Sequence, residues 1–246
     1  MEICFVTIFP GMLEGPLSHG TLDIASRKGA AEYRVVDIRD FAVDERGTVD
    51  DYPYGGGPGM VMMAPPIVEA VESVRSGEEA GEVPVILMSP AGRVFDQEKA
   101  RQLSKAAKIV LVCGRYKGVD ERVERLVITE SISIGDYILS GGEIPALAVA
   151  DAVVRHLPGV IGDERSRDTD SFSGERGFSL DAAYYTRPPE YRGLGVPDVL
   201  LSGNHAMIDE WRRRSAGERT GRYRPDLSVA AGDDKGDDKG LLEKED

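Results

Sequence analysis

The chain reads as an α/β protein: a parallel sheet covered on both faces, followed by a small, mainly helical domain. Three observations predict this. Its main apolar runs are continuous and β-branched rather than alternating, the pattern of strands buried on both faces. Segments of helical period separate them, as crossovers between parallel strands require. The alternation then stops at Gly162, where a polar, charged stretch begins and a shorter region with helical signals follows.

Residues 2–9 predict the first strand, 13–27 a helix and 33–38 a second strand. Pro65 and Pro66 suit the first turn of a helix, where a missing N–H costs nothing. Ile67, Val68, Val71 and Val74 then fall on one face. Residues 83–88 form a continuous apolar strand that ends at Ser89-Pro90. Asp96 is placed to cap a helix over 97–108, and 109–113 is another buried strand. Residues 126–134 lead into a glycine loop, and 143–157 follow as a helix with Pro145 in its first turn. Ligands of such sheets sit beyond the carboxyl ends of the strands. Ser89-Pro90 and two glycine-rich loops occupy that position.

The 246 residues suffice for one large domain or two modest ones, and 41% hydrophobic content is ordinary for a globular chain. No apolar run nears the roughly 20 residues that span a bilayer, so no membrane partner is expected. Met1-Glu2-Ile3-Cys4 lacks a basic signal-peptide start and reads as the beginning of a buried strand. Cys4 and Cys113 both lie in apolar runs, which suits reduced thiols in the cytoplasm better than a disulfide. His19, His156 and His205 show no metal-ligand spacing, so no metal ligand is assigned.

The net charge of −13 argues against indiscriminate nucleic-acid binding, and DNA is not an expected partner. The charge is uneven, however. Residues 233–246 hold seven acids and three lysines in a low-complexity repeat, which predicts a disordered acidic tail. Residues 187–224 carry eight arginines and five acids, a local excess of three positive charges. Screening confines charge to about 8 Å in physiological salt, so such a patch can hold phosphate on an acidic protein.

The strongest ligand signal is the stretch 133–143, Ser-Ile-Gly-Asp-Tyr-Ile-Leu-Ser-Gly-Gly-Glu. Its glycines admit close backbone approach while Asp136, Tyr137 and Ser140 supply polar handles. A second such loop, Cys113-Gly114-Arg115-Tyr116-Lys117-Gly118, lies upstream, and together they predict one small-molecule site. A third, Tyr54-Gly55-Gly56-Gly57-Pro58-Gly59-Met60, is neither a phosphate-binding P-loop nor a dinucleotide fingerprint. Taken alone it reads as a surface turn. Cys113 reads as a small buried hydrophobe rather than a nucleophile.

Arg155 closes a mostly apolar helix, where it suits the dipole or serves as a fixed cation beside a reaction centre. Asp170 sits among Asp163, Glu164 and Asp168, and composition does not choose between them. Trp211-Arg212-Arg213-Arg214 fits an amphipathic helix with an aromatic on the core, phosphate contacts on the other face, or both.

Five stretches in register resemble the bacterial tRNA (guanine-N1)-methyltransferase family of the SPOUT superfamily. They are residues 48–60, Leu87-Met88-Ser89-Pro90, Val112-Cys113-Gly114-Arg115-Tyr116, residues 133–143 and Leu200-Leu201-Ser202-Gly203-Asn204-His205. The resemblance covers about residues 1–227. It implies a SPOUT methyltransferase domain with a C-terminal trefoil knot, a homodimer with shared active sites, and a cytoplasmic enzyme of tRNA processing. The implied reaction is S-adenosylmethionine-dependent methylation of guanine N1 at the guanosine 3′-adjacent to the anticodon.

The resemblance also implies residue roles. Leu87, Ser89, Pro90, Gly114, Tyr116, Ile134, Gly135, Asp136, Tyr137, Ile138, Leu139, Gly141 and Gly142 hold the methyl donor. Asp170 is the general base and Arg155 the cation beside guanine O6. Gly59, with its loop, approaches the donor and the target base. Ser202, Asn204 and His205 grip the anticodon stem-loop of tRNA. The implied layout is a donor-binding domain over 1–161, a mobile linker over 162–177, a tRNA-binding domain over 178–230 and the acidic tail over 231–246. Members are described as magnesium-dependent, which leaves magnesium open as a second ligand. Lys117 nevertheless stands where well-known members carry Glu, and lysine removes an acid able to position a metal or substrate.

Overall fold

A computed structural model describes residues 1–75, 77, 82–162, 170–173 and 179–227. The expected acidic tail and most of the expected linker lie outside the described residues. The chain divides into two compact units, Met1–Gly162 and Asp163–Asp246.

Among its described residues the first unit has seven strands and six α-helices: β1 (Glu2–Thr7), α1 (Gly11–Leu17), α2 (Gly20–Arg27), β2 (Glu32–Asp37), β3 (Asp50–Asp51), β4 (Val61–Met62), α3 (Ala64–Arg75), β5 (Val85–Val94), α4 (Gln97–Leu103), β6 (Lys108–Cys113), α5 (Glu121–Leu126), β7 (Glu130–Ser133) and α6 (Glu143–Val154). Five strands make one sheet in the order β2-β1-β6-β5-β7, and every neighbouring pair is parallel. The continuous apolar runs foretold this, because alternate residues of each strand enter opposite cores. Ile3 and Phe5 of β1 join Val149 and Val153 of α6 on one face. Cys4 and Val6 join Ile67 and Val71 of α3 on the other.

The strand over 2–9 ends at Thr7 and the helix over 143–157 at Val154, and three larger differences from the sequence reading each have a local reason. The expected helix 13–27 is two helices. The chain turns at Ser18-His19, where Ser18 Oγ donates to the Glu14 and Gly15 carbonyls and Gly20 takes a φ of +64°. The helix capped by Asp96 ends at Leu103, and Lys108 already belongs to β6, where it pairs with Glu2 of β1.

The strand expected to stop at Met88 continues to Val94. Its pairing with β7 jumps from Met88↔Ile132 to Arg93↔Ile132, so Ser89-Pro90 lies in an outward bulge inside the strand. Gly92 permits the return. A Cβ there would sit 2.4 Å from the Ile132 nitrogen and the Ser131 carbonyl carbon, both backbone atoms of β7.

In the second unit a short hairpin, β8 (Glu190–Tyr191) and β9 (Leu194–Gly195), precedes α7 (Asp198–Leu201) and the long α8 (His205–Tyr223). Hydroxyls of α8 hold the extended chain beside it: Thr220 Oγ1 accepts from Leu180 N, and Ser215 Oγ from Ala183 N, each at 3.0 Å.

Candidate active site

The carboxyl ends of β5, β6 and β7 open into a cavity of about 380 Å³, within the roughly 300–1,000 Å³ range of small-molecule sites. Residues 87–90, 114–119, 132–135 and 137–142 line it, with Glu124 and Pro145. The glycine loops meet here because their backbones nearly touch. Gly142 N donates to Gly114 O at 2.9 Å, and Arg115 bridges Gly141 in antiparallel fashion. A Cβ on Gly142 would stand 2.7 Å from Cys113 Cα, so only glycine fits the junction.

Leu87 and Ile134 bring apolar surface to the cavity, and Leu139 and Ile138 stand 38% and 80% exposed. A planar heterocycle can be sandwiched by such side chains. Strand-end loops also bring backbone donors and acceptors close enough to read its edge.

Beneath this loop junction lies a buried ion pair. Glu143, the first residue of α6, is completely buried. Its Oε1 accepts from Thr7 Oγ1 at 2.8 Å and from Arg115 Nε at 3.3 Å, and its Oε2 lies 3.2 Å from Arg115 Nη2. That second contact has the distance of an ion pair without hydrogen-bond alignment, which leaves Oε2 lacking a hydrogen bond. The Arg115 guanidinium also stacks over Phe9, 4.3 Å from the ring centroid. Three segments distant in sequence are thereby fixed together: the end of β1, the loop after β6 and the start of α6.

The Tyr54–Met60 loop is the tip of the β3–β4 hairpin. Its base is tied to the Gly114 loop, for Lys117 N donates to Met60 O at 3.1 Å and Met62 N to Gly118 O at 3.0 Å. Gly59 lies against the Lys117 side chain, and Tyr54 is fully exposed. The loop is therefore coupled to the cavity wall, beyond the simple surface turn that its composition suggested.

Of the residues expected to hold the methyl donor, all but Asp136 line the cavity. Arg155 caps the C-terminus of α6 in the first unit. Asp170 belongs to the second unit and is half-buried, its carbonyl accepting from Ser173 N. Ser202, Asn204 and His205 form the exposed α7–α8 turn. There Ser202 Oγ accepts from Asn204 N, and Asn204 Oδ1 accepts from Met207 N to cap α8. Trp211 packs edge-on against Tyr185, while Arg212, Arg213 and Arg214 pair with acids of their own helix.

Cys113 is wholly buried, and burial, helped by the Glu143 charge, pushes its thiol well above the usual range. Such a thiol is inert, which agrees with a packing role. Arg115 and Glu143 were not singled out from the sequence. The available signal was a charged residue directly after Gly141-Gly142, where an apolar helix begins.

Fold and site define a class: an α/β enzyme whose small-molecule cavity is built from strand-end glycine loops, with a separate helical unit. Comparison with known proteins narrows it. The family profile described as tRNA (Guanine-1)-methyltransferase TrmD matches residues 1–230. Proteins named tRNA (guanine-N(1)-)-methyltransferase are similar to the chain. That of Thermomicrobium roseum is 52% identical over 231 residues, 94% of this chain and 84% of its own length. Those of Geobacillus kaustophilus and Bacillus subtilis are 49% and 48% identical, each over 92% of this chain and 91% and 92% of their own lengths. The chain belongs to this methyltransferase family. Among the described residues no helix is long and apolar enough to cross a membrane.

Proposed function

We propose that this chain transfers the methyl group of S-adenosylmethionine to N1 of guanine in tRNA, at the guanosine 3′-adjacent to the anticodon. One observation carries the reading: the residues assigned to the donor by family resemblance gather around a single cavity, with Asp136 alone outside its lining. The donor set suits the ligand. Leu87, Ile134 and Leu139 offer apolar surface for an adenine ring, and the glycines at 114, 135, 141 and 142 stand in the same lining.

When bound, the donor supplies a methyl group on a sulfonium, already activated toward nucleophiles. The chain's own task is then the other partner. Guanine N1 carries a proton at neutral pH and is a poor nucleophile until that proton leaves, so a general base is required. Asp170 takes this proton. The negative charge that develops on guanine O6 is met by Arg155, a cation held at a helix end. The N1–CH₃ bond forms as the sulfonium–carbon bond breaks; the bonding pair stays on sulfur and the proton rests on Asp170.

In this reading residues 1–161 bind the donor within a trefoil-knotted SPOUT domain, and 162–177 join it to a tRNA-binding domain over 178–230. Ser202, Asn204, His205 and the arginines of α8 face the anticodon stem-loop. Two copies form a homodimer in which the Gly59 loop serves a shared site, and the enzyme acts in the cytoplasm.

The test is transfer of labelled methyl from the donor to purified tRNA, with the target guanosine intact or replaced by adenosine, followed by mapping of the methylated atom. Incorporation at guanine N1 that vanishes with the replacement is expected. Methylation of a ribose 2′-hydroxyl, or donor binding without transfer to any tRNA, would overturn the reading.

A further inference from the structure

The cavity lining contains two cations, Arg115 and Lys117, and they stand in opposite electrostatic situations. Arg115 is committed to buried Glu143. Other arginines near this loop are committed too, Arg122 to Asp120 and Arg125 to Glu121. Lys117 forms no ion pair with any described carboxylate, although the chain as a whole carries a net charge of −13.

Its position is nevertheless built. The Lys117 backbone N–H donates to Met60 O at 3.1 Å. Its stem lies along Gly59, where an added Cβ would meet Cγ, Cδ and Cε at 3.1, 3.3 and 3.5 Å. Three successive methylenes resting on one glycine restrict a side chain that otherwise loses much rotamer freedom on ordering. Gly59 itself has a φ of +90°, so the seat depends on glycine. The result is an exposed lysine with a seated stem on the wall shared with the glycine-rich hairpin, and Glu124, the carboxylate in the same lining, forms no ion pair with it.

We propose that Lys117 receives an anionic oxygen of a bound substrate. This rests on the function proposed above, which supplies two sources of that chemistry: a phosphate of the RNA strand and the carboxylate of the methyl donor. Lysine suits either, as a compact charge with three donors and no demand for planar geometry. Lys117 is thus a substrate-contacting residue, separate from the base and from the O6 cation.

The experiment compares wild type with Lys117→Met and Lys117→Arg. Affinity for S-adenosylmethionine is measured by calorimetry, and affinity for tRNA over a salt series, with thermal unfolding followed alongside. Lys117→Met is expected to weaken one of the two ligands about tenfold at unchanged melting temperature, and Lys117→Arg to restore most of it. Loss of tRNA affinity, with the salt slope reduced by about one, identifies an RNA phosphate. Loss confined to the donor identifies its carboxylate. Both affinities within twofold of wild type, or equal losses together with a lowered melting temperature, would overturn the inference. Wild-type methyl transfer to tRNA is run in parallel. Its absence sinks the functional reading and this inference with it, whereas its presence beside an unaffected Lys117→Met variant sinks the inference alone.

Discussion

Arg115 and Glu143 form an ion pair inside the wall of the cavity, with the carboxylate fully buried and the arginine side chain 15% exposed. They lie 28 residues apart in sequence and meet where the two glycine loops cross. Breaking a buried pair by removing one partner is worse than never having had it, because the remaining charge is left without compensation. Glu143→Ala should therefore lower unfolding free energy by about 3–5 kcal/mol. Arg115→Met should be similarly harmful. The double variant Arg115→Met/Glu143→Met should be much less harmful than the sum of the single changes. Urea unfolding of the single and double variants checks this through the coupling energy, and strict additivity would contradict it.

The glycines at the loop junction make a second prediction, graded by what each would strike. On Gly142 a methyl group meets backbone atoms, Cys113 Cα at 2.7 Å and Gly114 N at 3.0 Å, which cannot swing away. On Gly141 it meets Arg115 Nε at 2.3 Å and Glu143 Oε2 at 2.5 Å, members of the buried pair. Both alanine variants should lose at least about tenfold in donor affinity, since the two loops must separate to admit the methyl group. Gly92→Ala strikes the backbone of β7 outside the loops, and overpacking of this kind commonly costs about 1–3 kcal/mol, occasionally more. Calorimetric titration of the donor and thermal unfolding, measured on all three, separate the effects. Full-strength donor binding by Gly142→Ala would refute the junction geometry.

The strands and the glycine loops were legible in the sequence because both depend on local residue type. β1, β5 and β6 are continuous β-branched runs, and residues 133–143 combine three glycines with polar side chains. The break at Ser18-His19 is marked locally by Pro16 and Gly20, but the spacing of Leu13, Leu17 and Ile24 carries a helical period through it. The extension of β5 through Ser-Pro-Ala-Gly reads as a turn, and only its return to β7 at Arg93 keeps it a strand. The burial of Glu143 was equally hidden, since a buried carboxylate depends on partners from β1 and from the loop after β6. Asp170 carries no local mark among its neighbouring acids, so its assignment as base comes from family resemblance alone.

The buried thiols predict a loss of stability at alkaline pH. Burial, reinforced by the neighbouring Glu2 carboxylate, pushes the Cys4 thiol up to about 12, and burial together with the Glu143 charge pushes Cys113 well above the ordinary thiol value of 9.0. The unfolded chain therefore releases these protons first. Stability from the two thiols is fully present below pH 9.0 and falls as pH rises toward about 12, because the unfolded state binds fewer protons in that window. Urea midpoints measured from pH 8 upward should be level and then decline. Cys4→Ala should flatten part of that decline, and both thiols of the native protein should resist an aromatic disulfide reagent until urea is added. Prompt labelling of the native protein at pH 8 would contradict the burial.

Asp170 and Arg155 belong to different units of the chain, and the proposed chemistry separates them from the donor cavity in a way kinetics can read. A general base contributes typically about 10²–10⁴ in rate. Asp170→Asn keeps the size of the side chain but removes its basicity, so single-turnover methyl transfer should fall by about that factor while donor affinity stays near wild type. Arg155→Ala removes charge stabilisation at guanine O6, and loss of one such contact costs about 10²–10³ in the chemical step. Neither residue lines the cavity, so neither change should weaken the donor by more than about threefold. Rapid-quench transfer to tRNA, paired with calorimetric donor binding, makes the comparison directly. A wild-type single-turnover rate in Asp170→Asn would remove that residue as the base. Equal losses of rate and donor affinity in Arg155→Ala would reassign it to holding the helix end that supports the cavity.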